Sequence, residues 1–241
     1  MDLKSLKVGA HRGAMCYAPE NTLAAFEFAV QQDCYRIEFD VRRTSDGHLV
    51  VIHDETVDRT TDGSGIVSEM SLSELKKLSV GTETIPTLKE SLDFMAGKTK
   101  MLIEQKEKGI TEQVIREIEL AKLERDCTIV SFHEESLVEA FQINSKIDRG
   151  YFIIKPGVYD INEICERIAP KLFIVWPLAV SHRYIHKVVS KGIVVRCGFK
   201  DDLSIDQLRE QLRILVEMGV TEFSCGRPDW IKQLINEFNV E

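Results

Sequence analysis

The feature that most constrains this chain is a rhythm. Eight apolar, β-branched-rich runs of strand length recur: "KVGAH" (7–11), "YRIEFDV" (35–41), "KMLIEQK" (100–106), "CTIVSF" (127–132), "GYFII" (150–154), "KLFIVW" (171–176), "IVVRC" (193–197) and "VTEFSC" (220–225). Between them lie segments with amphipathic-helix spacing, such as 21–32, 111–123 and 204–218. Asn21, Thr111 and Ser204 are the expected N-caps of these helices, and Gly219 is the stop after the last. Alternating strands and helices imply a parallel sheet flanked by helices. Eight such units in 241 residues match a (β/α)8 barrel, the TIM-barrel architecture, in a single domain over 1–241. A doubly wound open sheet uses the same alphabet. However, no GxGxxG follows the first run, and polar residues gather at the carboxyl ends of several runs, where barrel active sites lie.

One interval breaks the rhythm. About 60 residues separate the second run from the third, where roughly 20 to 25 are usual. "RRTSDGHLVVIHD" (42–54) reads as a hairpin turning at Asp46-Gly47. A Gly-punctuated loop, a short helix near 71–78 and the barrel helix after Pro86 should follow. We expect 54–86 to be a small lid-like insertion after strand two.

Charge and hydropathy exclude some functions. The 31 basic residues against 39 acidic ones give a net charge of −8, which argues against a nucleic-acid partner. The longest apolar run, Leu172 to Val180, contains Pro177 and falls short of the roughly 18 residues of a membrane span, so no integral membrane segment is expected. "MDLKSLKVGAHRG" turns polar too soon for a signal peptide, and a cytoplasmic location is expected. The six cysteines are scattered without a CxxC pair, as expected of reduced and mostly buried thiols rather than a zinc site.

The strand ends carry the chemistry. In "RIEFDV" successive side chains alternate, so Glu38 and Asp40 share one face while Ile37 and Phe39 share the other. Two neighbouring anions in a barrel interior repel unless one is protonated or a cation sits between them. "MLIEQK" repeats the device with Glu104 and Lys106. Oxygen-only ligation by Glu38, Asp40 and Glu104 suits Mg²⁺ or Ca²⁺ better than zinc. His11 and His53 end apolar runs beside these acids, and two imidazoles titrating near neutrality can supply base and acid to one proton-transfer reaction. His48, His133, His182 and His186 lack such company and are read as structural.

The motifs "HRG", "PENTLAAF", "IEFDVRRTSDGHLVVIHD", "RTTDGSG", "IPTLKE" and "IEQK", in this order and spacing, make the chain resemble the glycerophosphodiester phosphodiesterases. The dense match covers Val8 to Lys106, and a weaker one continues to "GRPDWI" (226–231). The resemblance implies a TIM barrel that hydrolyses a small-molecule phosphodiester to glycerol 3-phosphate and an alcohol. It implies His11 and His53 as the acid/base pair, with His11 as base, and Glu38, Asp40 and Glu104 on a divalent cation. Arg12 and Lys106 would clamp the phosphate. Asn21, in the "PEN" turn, is read first as a helix cap, with a contact to the site as its second reading.

The chain departs from the family's pattern on strand seven, where "VVRCGF" (194–199) replaces a Trp-Thr-Val-Asn-like ending. Arg196, Cys197 and Phe199 are therefore expected to alter the alcohol-side pocket. His133 stands where the family often carries an acid. Two rival readings are a phospholipase-D-like lyase acting on lysolipids and a catalytically silent barrel that binds glycerophosphodiesters.

Overall fold

The computed structural model describes residues 5–155, 159–176 and 181–238. Pro177 and the rest of 177–180 lie outside the described residues. The chain runs β1 (Lys7–Ala10), α1 (Leu23–Gln31), β2 (Arg36–Arg43), β3 (Leu49–Val51), α2 (Leu72–Leu75), β4 (Ser79–Val80), β5 (Glu83–Thr84) and α3 (Leu88–Met95). It continues with β6 (Lys100–Gln105), α4 (Thr111–Ala121), β7 (Cys127–Ser131), α5 (Glu134–Ile143), β8 (Asp148–Ile153) and α6 (Ile161–Ile168). The last elements are β9 (Leu172–Val175), α7 (His182–Val189), β10 (Val194–Gly198), α8 (Ile205–Glu217), β11 (Glu222–Cys225) and α9 (Pro228–Phe238).

Strands β1, β2, β6, β7, β8, β9, β10 and β11 pair in parallel in that order, and β11 returns to β1, which closes the barrel. These are the eight expected strands. Alternation sorts their side chains into two layers. Ile37, Phe39, Met101, Ile103, Ile129, Phe173, Val195 and Phe223 pack outward in the main core beneath the helices. Leu102, Val130, Phe152, Leu172 and Ile174 form a separate cluster on the opposite, inward face.

Two caps differ from expectation. The side chain that accepts an N–H at the start of α1 belongs to Thr22, and Asn21 is turned elsewhere. Ile110 stands at the cap of α4, while Thr111 begins the helix and donates its hydroxyl to Gln105 Oε1 at 3.0 Å. Ser204 does cap α8, in a reciprocal box with Gln207, and Gly219 follows that helix with φ +95°.

The hairpin off strand two is present, with Val41 opposite Val51 and Arg43 opposite Leu49. In 54–86 the expected helix shrinks to the single turn of α2, capped by Ser71 and Glu74, and the antiparallel pair β4–β5 follows. Val57, Val67, Leu75, Val80 and Ile85 pack there on Val50 and Ile52 as a small core of their own.

Candidate active site

Parallel register brings Asp40 level with Glu104 on the neighbouring strand, so the carboxylates of β2 and β6 meet near the carboxyl end of the barrel. One oxygen from each of Glu38, Asp40 and Glu104 lies within 4.8 Å of the others, and all three residues are buried. Such anions repel. Burial and the charge of Asp40 push the Glu38 carboxyl above the usual carboxylate range, and the same two causes push Glu104 up to about 8. Lys106 offsets this only in part: its Nζ donates to Glu104 Oε1 at 2.6 Å and lies 3.5 Å from Asp40 Oδ1. That Asp40 oxygen is buried without a hydrogen-bond partner. A bare carboxylate oxygen beside two carboxyls driven toward protonation fits a hard, oxygen-preferring divalent cation.

The "HRG" stretch is the turn that frames this cluster. Arg12 and Gly13 take left-handed backbone angles, φ +52° and +79°. A Cβ on Gly13 would sit 2.7 Å from that of Ala25, so packing as well as φ demands glycine there. The turn lets the Arg12 N–H donate to Glu38 Oε2 at 2.8 Å while its guanidinium donates to Glu20 Oε1 at 2.9 Å and approaches Asp40 Oδ2 at 3.4 Å. Asn21 seals the base of the site. With φ +59° it donates Nδ2–H to Asp40 Oδ2 at 2.9 Å and accepts the Asp40 N–H at 3.2 Å.

Both histidines have carboxylate partners. His11 Nδ1 lies 3.4 Å from Asp201 Oδ2, and His53 Nδ1 lies 2.6 Å from Asp54 Oδ1. Burial opposes protonation of His11, but Asp201 and the charge of Glu38 outweigh it and raise its pKa. At His53 burial wins, helped by the charges of Arg12 and Lys106, and the pKa falls. Arg59 donates to Asp54 Oδ2 at 2.5 Å and to Glu20 Oε2 at 2.7 Å, and the second bond ties the 54–86 segment to the turn before α1.

Sequence reasoning missed four of these partners. Asp54, Glu20 and Arg59 sit inside the quoted motifs "VIHD", "PEN" and "RTTDGSG", so their signal was present. Asp201, in "GFKDDLS", carries no local signal. Arg196 requires a correction. It is almost fully buried in the barrel interior, where Nη1 donates to Glu222 Oε1 at 2.5 Å and Arg36 Nε lies 3.3 Å from the same oxygen. Cys197 packs in the outer core and Phe199 stacks on Phe223, so Arg196 and Cys197 do not wall an alcohol pocket. A cleft of about 370 Å³ instead opens beside Lys106, lined by Arg42, Glu55, Ser68, Glu107 and His133 among others.

A family model described as the glycerophosphoryl diester phosphodiesterase family matches residues 11–172. The chain belongs to this family. A glycerophosphodiester phosphodiesterase of Caldanaerobacter subterraneus is 44% identical over 149 residues, 56% of this chain and 61% of that protein. A Bacillus subtilis relative is 45% identical over 144 residues, 56% of this chain and 57% of its own length. The matched stretch thus spans about three fifths of these curated relatives. Among solved structures, an Oleispira antarctica phosphodiesterase in complex with the product sn-glycerol-3-phosphate has a TM-score of 0.83 at 28% identity. That match covers 97% of this chain and 98% of the other. Among the described residues no helix is long and apolar enough to cross a membrane.

Proposed function

We propose that this family member is a divalent-metal-dependent hydrolase that cleaves glycerophosphodiesters to glycerol 3-phosphate and an alcohol, using His11 and His53 for proton transfer. The observation that carries this reading is the convergence of three buried carboxylates, two cations and two carboxylate-backed imidazoles around Glu38 and Asp40. The relative solved with sn-glycerol-3-phosphate supports the choice of product.

Glu38, Asp40 and Glu104 would hold Mg²⁺ or Ca²⁺, which when bound supplies Lewis acidity to the phosphodiester. Arg12 and Lys106 would bind the non-bridging oxygens and stabilise the charge that grows on them. One histidine takes the proton of the attacking hydroxyl, and the other protonates the leaving alkoxide. With Nδ1 facing a carboxylate in each case, Nε2 is the nitrogen left for this work. A cation held by Glu38 would cancel the negative charge that helps to raise the His11 pKa, which would favour the neutral ring a base needs. Water or a neighbouring glycerol hydroxyl can be the nucleophile with the same two groups. In this reading 54–86 is a lid-like wall of one domain, held by the Arg59 link to Glu20.

The test is a coupled assay for glycerol 3-phosphate release from several glycerophosphodiesters, after chelation and after readdition of Mg²⁺ or Ca²⁺. Chelation should abolish turnover and either ion restore it. Full activity after exhaustive chelation would overturn the metal role, and no release from any diester would overturn the substrate class.

One observation favours a second reading, the lyase acting on lysolipids. Phe132, Ile154 and Trp176 stand exposed just past the ends of β7, β8 and β9, an apolar side that 54–86 does not supply. A lyase stops at a cyclic phosphate, which ³¹P NMR of a lysolipid reaction distinguishes from a phosphomonoester.

A further inference from the structure

We infer that Asp201 is a positioning residue for His11, holding the Nδ1 side of its imidazole from the loop after β10. The inference rests on the role proposed for His11. Strands β10, β11 and β1 are neighbours in the barrel, so the loops after the first two arrive beside the residue that follows the third.

Asp201 sits in a built seat. Its Oδ1 accepts the Gly226 N–H, and its own carbonyl accepts Arg227 Nη1 at 2.5 Å. The Arg227 guanidinium in turn lies over the Trp230 ring at 4.8 Å. A Cβ on Gly226 would stand 2.8 Å from Asp201 Oδ1 and 2.7 Å from both Cys16 Sγ and Met15 Cγ, so the seat exists only with glycine there. The second oxygen, Oδ2, is left facing His11 Nδ1 at 3.4 Å. That separation is long for a hydrogen bond, and such contacts commonly tighten once substrate binds.

A carboxylate in this place makes Nδ1 the protonated nitrogen of neutral imidazole and leaves the Nε2 lone pair free, and it stabilises the imidazolium once formed. Asp201 lies just beyond "VVRCGF", where the chain departs from the family pattern. What that region gives the site is therefore a carboxylate behind a histidine.

The asymmetry of the seat gives a test that a packing role would not pass. In Asp201→Asn the oxygen must stay toward the Gly226 N–H, which turns the amide NH₂ toward His11 Nδ1 and imposes the wrong tautomer. With Mg²⁺-loaded enzyme and glycerophosphoethanolamine as substrate, Asp201→Asn and Asp201→Ala should each lower kcat by roughly 10 to 10²-fold. KM should stay within about twofold, and calorimetric Mg²⁺ affinity should be unchanged. In a His11→Ala background, Asp201→Ala should cause no further loss, because it acts through the missing ring. Near-wild-type kcat in Asp201→Asn, or additive losses in the double variant, would overturn the inference. If His11→Ala itself keeps full kcat, the proposed role of His11 falls and the inference with it. If His11→Ala is impaired while both Asp201 variants are not, only the inference falls.

Discussion

Glu104→Gln should make the metal-free protein more stable than wild type at pH 8 and remove the stabilisation that a divalent cation confers. Glu104 is buried at 7% exposure, and its carboxyl is driven from 4.5 up to about 8 by burial and by Asp40. At about 1.4 kcal/mol per pKa unit, holding it ionised in the empty site costs at most about 5 kcal/mol. A folded pKa above the unfolded one means that the folded state keeps a proton which the unfolded chain releases between 4.5 and about 8. The contribution of Glu104 to stability is therefore fully present below pH 4.5 and is lost as pH rises through that window. Glutamine has no such proton to lose, but it forfeits the charge-assisted bond from Lys106 at 2.6 Å. The net gain at pH 8 should then be roughly 1 to 3 kcal/mol.

Urea unfolding in EDTA at pH 5 and pH 8 measures this directly. Wild type should weaken with rising pH more steeply than the variant, by up to about 1.4 kcal/mol per pH unit. His11, raised, contributes with the same sign as Glu104, and His53, lowered, with the opposite sign. Both histidines remain in the variant, so the difference belongs to the carboxylate cluster. With Mg²⁺ present, wild type should gain stability and the variant should gain little. Equal pH slopes for the two proteins, or equal stabilisation by Mg²⁺, would refute the argument that the three carboxylates are held in mutual repulsion.

Other perturbations probe other parts of the site. Glu222→Ala leaves the buried guanidinium groups of Arg36 and Arg196 without their shared carboxylate, and denaturation should show a loss of about 3 to 5 kcal/mol. Arg196→Ala should lower stability too, yet keep the ranking of kcat/KM among head groups; a changed ranking would return Arg196 to the substrate pocket. His11→Ala and His53→Ala should each lose roughly 10² to 10⁴-fold in kcat, and a nitrophenyl phosphodiester, whose leaving group needs no proton, should rescue whichever variant lacks the acid. Rescue of His53→Ala makes His53 the acid, and rescue of His11→Ala exchanges the roles. Gly13→Ala should cut both stability and kcat, since its Cβ would meet Ala25 at 2.7 Å and the strained φ alone costs about 1 kcal/mol or more; an unchanged melting temperature would show that the turn yields.

The barrel was legible because its signal is local: eight apolar runs set the strands, and the spacing between them set the helices. Glu38 and Asp40 were legible for the same reason, as period-two alternation fixes a face without knowledge of any neighbour. Asn21 reads from sequence both as a cap and as a contact of the site, and only the second holds, because Asn favours caps and left-handed backbone alike. Its φ of +59° and its two bonds to Asp40 arise from a strand 19 residues away. Asp201 was invisible because it meets His11 across 190 residues, through a loop with no periodicity.

Arg196 shows what alternation leaves out. Alternation assigns a face, but register with the neighbouring strand assigns a height, and Arg196 pairs with Glu222, the first residue of β11. That places it on the barrel floor with Arg36, whereas Asp40 pairs with Glu104 near the strand ends. The inward charges thereby split into two groups of opposite excess. The floor holds Arg36 and Arg196 against Glu222, one positive charge in surplus. At the mouth, Glu38, Asp40 and Glu104 against Arg12 and Lys106 leave one formal negative charge in surplus, and around them Glu20, Asp54 and Asp201 exceed Arg59 by two more. Left so, the mouth repels a phosphodiester monoanion. A divalent cation among the three carboxylates would turn the surplus of that inner group of five to one positive charge, which attracts a phosphodiester monoanion where the carboxylates alone repel it.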